Sequence, residues 1–374
     1  MPNRRFVILT AILAASLAIA AQSPATLKDA YRDSFYVGAA VNAAQFTGTD
    51  ARGAAIVAKQ FSSITPENVL KWERVHPRPG VYDFALPDKY VEFGEKNHMF
   101  IVGHCLVCHS QVPDWVFEDE KGKPLAREAL LQRMREHIFA VVGRYKGRIN
   151  SWDVVNEALN DDGSLRQTKW LQIIGEDYIA KAFQYARQAD PQAQLNYNDY
   201  SLENEAKRNG AIALIKKLQA QGIPVAAVGI QGHDSLDWPS AALEDAAIEA
   251  FAKLGVKVAI TELDIDVLPP VAPGSADVSL NVKADPKLNP YLNGLPDAVQ
   301  KALAERYAGL FGVYLKDRAV VSRVTLWGVT DGDSWRNDWP VAGRTSYPLL
   351  FDRMGEPKPA FDAVIRQAAR PVQR

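Results

Sequence analysis

The chain has 374 residues, 47% of them hydrophobic, enough for one large α/β domain or two smaller ones. Its 43 Lys and Arg nearly balance 44 Asp and Glu, for a net charge of −1, so charge gives no ground for a nucleic-acid or anionic-membrane partner. Two cysteines are too few for a disulfide-built scaffold.

At the N-terminus, Arg4 and Arg5 precede an apolar run from Phe6 to Ile19 that is short for a bilayer span. Ala18-Ile19-Ala20 has the small-x-small pattern of a signal-peptidase site. Residues 1–20 are therefore expected to be a signal peptide, and the mature protein to be exported to the periplasm or the medium as a monomer. No second run of about twenty apolar residues follows.

Beyond this segment, strand-like and helix-like stretches alternate. Strands are expected at 35–41, 61–65, 99–107, 151–155, 194–198, 226–231, 257–262 and 320–329. Helices are expected at 51–59, 88–97, 127–145, 170–189, 204–221, 240–253, 296–316 and 358–369. In the third helix Leu131, Met134, Ile138, Val141 and Tyr145 fall on one face at helical spacing. Several strands are unbroken apolar runs, as parallel strands covered on both faces should be. Eight such rounds predict an α/β fold of the (β/α)8 TIM-barrel type, a single domain spanning 27–370. A doubly wound open sheet fits less well, because no strand is followed by a glycine-rich phosphate loop. One connection, 265–295, is long and proline-rich, and in a barrel it would lie on the active face.

In such a barrel the chemistry sits where strands end. The second strand ends in Thr65-Pro66-Glu67-Asn68, with Lys71 and Trp72 a turn later. The third gives His104, then His109, Ser110 and Gln111; the fourth gives Asn156 and Glu157; the fifth gives Asn198, Asp199 and Tyr200. The sixth gives Gln231 and His233, the seventh Glu262 and Asp264, and the eighth Trp327, Asp331 and Trp335. Singly, each is more simply a helix cap, a core histidine or a packing indole. Together they are costly to bury unless they pair with one another or with a ligand. Two carboxyls among amides and indoles fit a sugar site. Glycosidic cleavage needs one carboxyl to protonate the leaving oxygen and a second, ionised, to attack the anomeric carbon or activate water.

The segments Ser63-Ile64-Thr65-Pro66-Glu67-Asn68, Trp152-Asp153-Val154-Val155-Asn156-Glu157, Ile260-Thr261-Glu262-Leu263-Asp264 and Trp327-Gly328-Val329-Thr330-Asp331 resemble glycoside hydrolase family 10, the endo-β-1,4-xylanases. The resemblance runs from about residue 35 to 361. It implies a retaining hydrolase of xylan or xylo-oligosaccharides, with no cofactor and no metal. Glu157 would be the acid/base and Glu262 the nucleophile, with His233 bonded to Glu262 and oriented by Asp264. Glu157 would hold its proton because burial and the charge on Glu262 raise its pKa. Asn156 would bind the 2-hydroxyl of the sugar being cleaved. Glu67, Asn68, Lys71, His104 and Gln231 would line the glycone side, Trp327 and Trp335 would close over the sugars, and Tyr200 would face the aglycone. The resemblance also implies a non-proline cis peptide after His104.

One segment departs from the family. Where it usually reads His-Thr-Leu-Val-Trp-His-Ser-Gln, this chain reads His104-Cys105-Leu106-Val107-Cys108-His109-Ser110-Gln111. Cys108 in place of an indole should open space beside the glycone unless another aromatic fills it. That leaves room for a related retaining glycosidase of altered specificity. A non-catalytic glycan-binding barrel is the alternative outside enzymes, and a pure binder has no need of the two glutamates. Cys105 to His109 also matches the C-x-x-C-H pattern of haem attachment, a reading that conflicts with the hydrolase surroundings. In an extended strand residues three apart lie about 10 Å apart, beyond the reach of a bridge, so two buried thiols are expected.

Overall fold

The computed structural model describes residues 26–271 and 280–370. The expected signal peptide lies outside the described residues. Eight strands form the barrel: β1 (Tyr36–Val41), β2 (Ser63–Pro66), β3 (Phe100–Cys108), β4 (Ser151–Asn156), β5 (Gln194–Asp199), β6 (Ala227–Ile230), β7 (Lys257–Asp266) and β8 (Val321–Leu326). Neighbours in sequence pair in parallel, and β8 pairs back onto β1 with Val37 opposite Val324, so the sheet closes. The barrel predicted from the apolar runs is therefore present. Every residue of β2, β4 and β6 is buried, which explains why these strands show no polar alternation.

Helices cover the outside, each burying one apolar stripe. The helix Arg127–Arg144 buries Leu131, Met134, Ile138 and Val141, the stripe read from the sequence. Side-chain caps set several starts: Asp50 accepts from the Gly53 amide at 2.9 Å, and Ser240 from the Leu243 amide at 3.2 Å. The single helix expected at 170–189 is instead two, Lys169–Ile174 and Tyr178–Ala189. Gly175 separates them with φ 93°, a left-handed conformation that ends a helix cheaply only at glycine. A three-residue strand, His233–Ser235, also escaped the sequence reading; it pairs with β7 and puts His233 opposite Asp264.

β3 and β4 lie so close that a Cβ on Gly103 would stand 2.2 Å from the Trp152 ring. Trp152 is fully buried there, as expected of a core residue. Farther along β3 the register slips between His104 and Val107. That irregularity shortens the strand, and the Cα atoms of Cys105 and Cys108 are 6.2 Å apart, joined by a disulfide. The expectation of two free thiols is thus corrected. It rested on ideal strand rise, which the bulged segment does not have. A bridged pair also has no thiols to offer a haem. The His104–Cys105 peptide is cis, as the resemblance implied.

Candidate active site

The C-terminal ends of the strands converge on a cavity of about 170 Å³ lined by Glu67, Asn68, Lys71, His104, Cys105, Cys108, Ser110, Gln111, Asn156, Glu157, Gln231, His233, Glu262, Trp327 and Trp335. Of the site residues expected from the sequence, only Asp264 and Tyr200 do not line it. Asp264 stands behind His233. Tyr200 is 3% exposed, with its hydroxyl accepting from Arg166 at 2.7 Å and the Lys207 ammonium 3.2 Å from its ring centre.

Glu262 lies within the buried run of β7, residues 258–265, and is fixed from two sides. Asn198 Nδ2 donates to its Oε1 at 2.8 Å, and Thr261 Oγ holds the Asn198 carbonyl oxygen at 2.6 Å. On the other side His233 Nε2 lies 3.3 Å from Oε2, while His233 Nδ1 lies 3.0 Å from Asp264 Oδ1. Burial would push the imidazole toward neutrality. The charge and hydrogen bond of Asp264, then those of Glu262, outweigh it and carry His233 up to about 9. At neutral pH His233 is thus a cation donating to both carboxylates.

Asp264 accepts more than the sequence indicated. Arg336 Nε donates to Oδ1 at 2.8 Å and Trp335 Nε1 to Oδ2 at 2.7 Å. Burial pushes this carboxyl up, but the Arg336 charge and then His233 hold it below the ordinary range.

Glu157 follows β4 in a left-handed conformation, φ 60°, which is costly for a residue with a Cβ. Its amide donates to the Asn198 carbonyl at 2.9 Å, tying the turn to β5. Oε1 accepts from Gln231 Nε2 at 2.9 Å and Asn156 Nδ2 at 3.0 Å. Oε2 faces His109 Nδ1 at 3.0 Å, an ion-pair distance without hydrogen-bond alignment. Burial would raise this carboxyl, yet the contact with His109, its charge and the Gln231 bond bring it down to about 2. The expectation of a raised pKa is therefore corrected for the unliganded site. Desolvation acts in the expected direction, but an imidazole on the neighbouring strand overrides it. His109 appeared among the strand-end polar residues without a role, because its contact with Glu157 runs across strands.

On the opposite wall, Lys71 Nζ donates to Gln111 Oε1 at 2.6 Å and Asn68 Oδ1 at 3.2 Å. Burial lowers its pKa, while Glu262, Glu157 and Glu67 draw it back up. Glu67 is pushed up to about 7 by burial and the nearby Asp333. His104 donates or accepts through Nδ1 at 3.0 Å from Asp153 and meets Trp327 edge-on with ring centres 5.4 Å apart. Cys105 and Cys108 are part of the lining beside His104, and Trp327 and Trp335 are its indoles. Among the described residues no group of His, Cys, Asp or Glu is arranged to hold a metal ion.

The family model for glycosyl hydrolase family 10 matches residues 26–367. An endo-1,4-beta-xylanase A of Xylanibacter ruminicola is 45% identical, covering 94% of this chain and 95% of its own. A beta-1,4-xylanase of Dictyoglomus thermophilum is 40% identical, covering 98% and 100% respectively. Among solved structures, a GH10 endoxylanase from a sugarcane soil metagenome superposes with a TM-score of 0.89 at 48% identity, covering 91% of this chain and 99% of the other. A mutant solved in complex with xylotriose superposes at 0.81 with 37% identity, covering 91% and 99%. With its two buried glutamates at the strand ends of a closed barrel, this chain belongs to glycosyl hydrolase family 10 and is a glycoside hydrolase.

Proposed function

We propose that the protein is a retaining endo-1,4-β-xylanase that cleaves internal bonds of xylan by double displacement. The observation that carries this reading is the unequal setting of the two glutamates on one cavity. Glu262 is clamped by Asn198 and a cationic His233, which orient its carboxyl into the cavity. That is the setting of a nucleophile aimed at an anomeric carbon. Glu157 faces it across the Asn156, Asn198 and Gln231 amides, with the His109 imidazole 3.0 Å from its other oxygen. In the first step Glu157 gives a proton to the leaving oxygen while Glu262 bonds to the sugar. In the second it takes a proton from water, which releases the sugar from Glu262.

Xylan as the substrate is supported by the names of the relatives and by the xylotriose held by a structural neighbour. Export and a monomeric state remain part of the proposal. The disulfide wall beside His104 supports a glycone side shaped differently from one carrying an indole. The test is NMR of the first-formed anomer from xylo-oligosaccharides. A β-anomer is expected, and an α-anomer rules out double displacement. Glu262→Ala should abolish release of reducing sugar. Glu157→Gln should lower kcat on xylan by about 10²–10⁴-fold, and with a leaving group that needs no proton it should spare only the first step, so that the glycosyl-enzyme accumulates for want of a base.

A further inference from the structure

We infer that Arg336 is a positioning residue for the nucleophile, acting through Asp264 and His233. The inference rests on the reading of Glu262 as nucleophile.

From the cavity inward, opposite charges alternate: Glu262, His233 at 3.3 Å, Asp264 at 3.0 Å, then Arg336 at 2.8 Å. Beyond Arg336 come Asp266 at 3.6 Å and Arg344 at 3.5 Å from Asp266. Asp264 is fully buried and Arg336 is 4% exposed, so water does little to screen them. The Arg336 backbone is held as firmly as its head group, its carbonyl accepting from Ser346 Oγ at 2.9 Å. Arg336 does not line the catalytic cavity but a neighbouring one that shares His233, and its link to the nucleophile runs through the carboxylate it holds.

Its effect follows from what Asp264 must do. His233 keeps its Nδ1 proton, and so its orientation toward Glu262, only while Asp264 is an acceptor. A protonated Asp264 frees the ring and removes the charge that makes Nε2 a donor. The other ionisable groups around Asp264 are Asp234, paired with Arg306 at 3.1 Å, Asp266 on the same strand and Tyr307 from the helix Asp297–Lys316. Nearby carboxylates favour protonation of Asp264, so Arg336 is the cation that opposes them together with His233.

The test is the pH dependence of kcat/KM on a xylo-oligosaccharide for wild type, Arg336→Gln and Arg336→Lys, with Arg336→Met replacing the glutamine variant if that does not fold. The neutral variants should move the acid limb upward by about one pH unit, a tenfold loss of rate on that limb. Arg336→Lys should restore the limb toward wild type, and KM should stay within about twofold in all three. An unmoved limb in a folded neutral variant overturns the inference, as does an equal movement in Arg336→Lys. If wild type forms the inverted anomer, the nucleophile reading fails and the inference with it. If wild type retains configuration while the limb stays put, the inference alone fails.

Discussion

Glu157 faces two demands that oppose each other. It must carry a proton when the glycosidic bond breaks, yet the free site holds its carboxyl at about 2. The two are compatible if Glu157 takes up its proton when a sugar oxygen displaces the His109 contact, which is 3.0 Å long in the free site. The sugar would also exclude water, favouring the neutral carboxyl. Removing His109 therefore has a direction. Burial then dominates, and the Glu157 pKa should rise above the ordinary glutamate value of about 4.3. Carboxyl-carbon NMR titration of wild type and His109→Ala measures this. A Glu157 that still titrates near 2 in the variant would show that Gln231 and Arg166, not His109, hold it down.

At the scale of the element, β3 carries most of what distinguishes this chain. It places His104 and His109 at either end of the Cys105–Cys108 bridge, and each imidazole contacts a carboxylate of β4 or its end. The bridge closes a loop of four residues, so its loop-entropy contribution is only about 2 kcal/mol. A Cys105→Ser, Cys108→Ser double variant should lose about that much stability in urea denaturation. A much larger loss would mean that the register slip itself depends on the bridge. The barrel was legible in the sequence because eight apolar runs and their helical stripes are local patterns. The cavity residues were legible because strand ends are where a barrel presents side chains. What stayed hidden depends on contacts made across strands or loops. The disulfide needs a bulge that changes strand rise, the His109 contact needs the β3–β4 register, and Arg336 reaches Asp264 from a loop 72 residues on.

Over the whole molecule, stability depends on pH through buried groups both inside the cavity and away from it. Glu203, Asp234 and Glu244 are buried, and burial raises all three carboxyls, opposed by Arg306 at Asp234 and Glu244 and by Lys207 at Glu203. His233 is raised to about 9, while burial in an aromatic stack lowers His76 to about 4. The signs separate the two arms. A lowered histidine binds fewer protons folded than unfolded, so its penalty is felt as pH falls from about 6.5 toward 4 and is gone above 6.5. A raised carboxyl or histidine binds more protons folded, so stability falls as pH rises toward its folded pKa. Above about pH 6.5 the His76 penalty is absent and the stabilisation from His233 is lost as pH rises toward 9, so His233 makes Tm decline into the alkaline range. Glu244→Gln keeps the shape of the protonated acid and cannot ionise. Its Tm should match wild type below about pH 4, where folded and unfolded Glu244 both keep the proton, and exceed it by a margin that widens as pH rises from there toward the raised folded pKa. Parallel Tm curves for the two proteins from about pH 4 to 10 would mean that the Glu244 pKa is not raised by folding. The alkaline limit would then lie elsewhere, with the His233 imidazolium that clamps the nucleophile as the next group to examine.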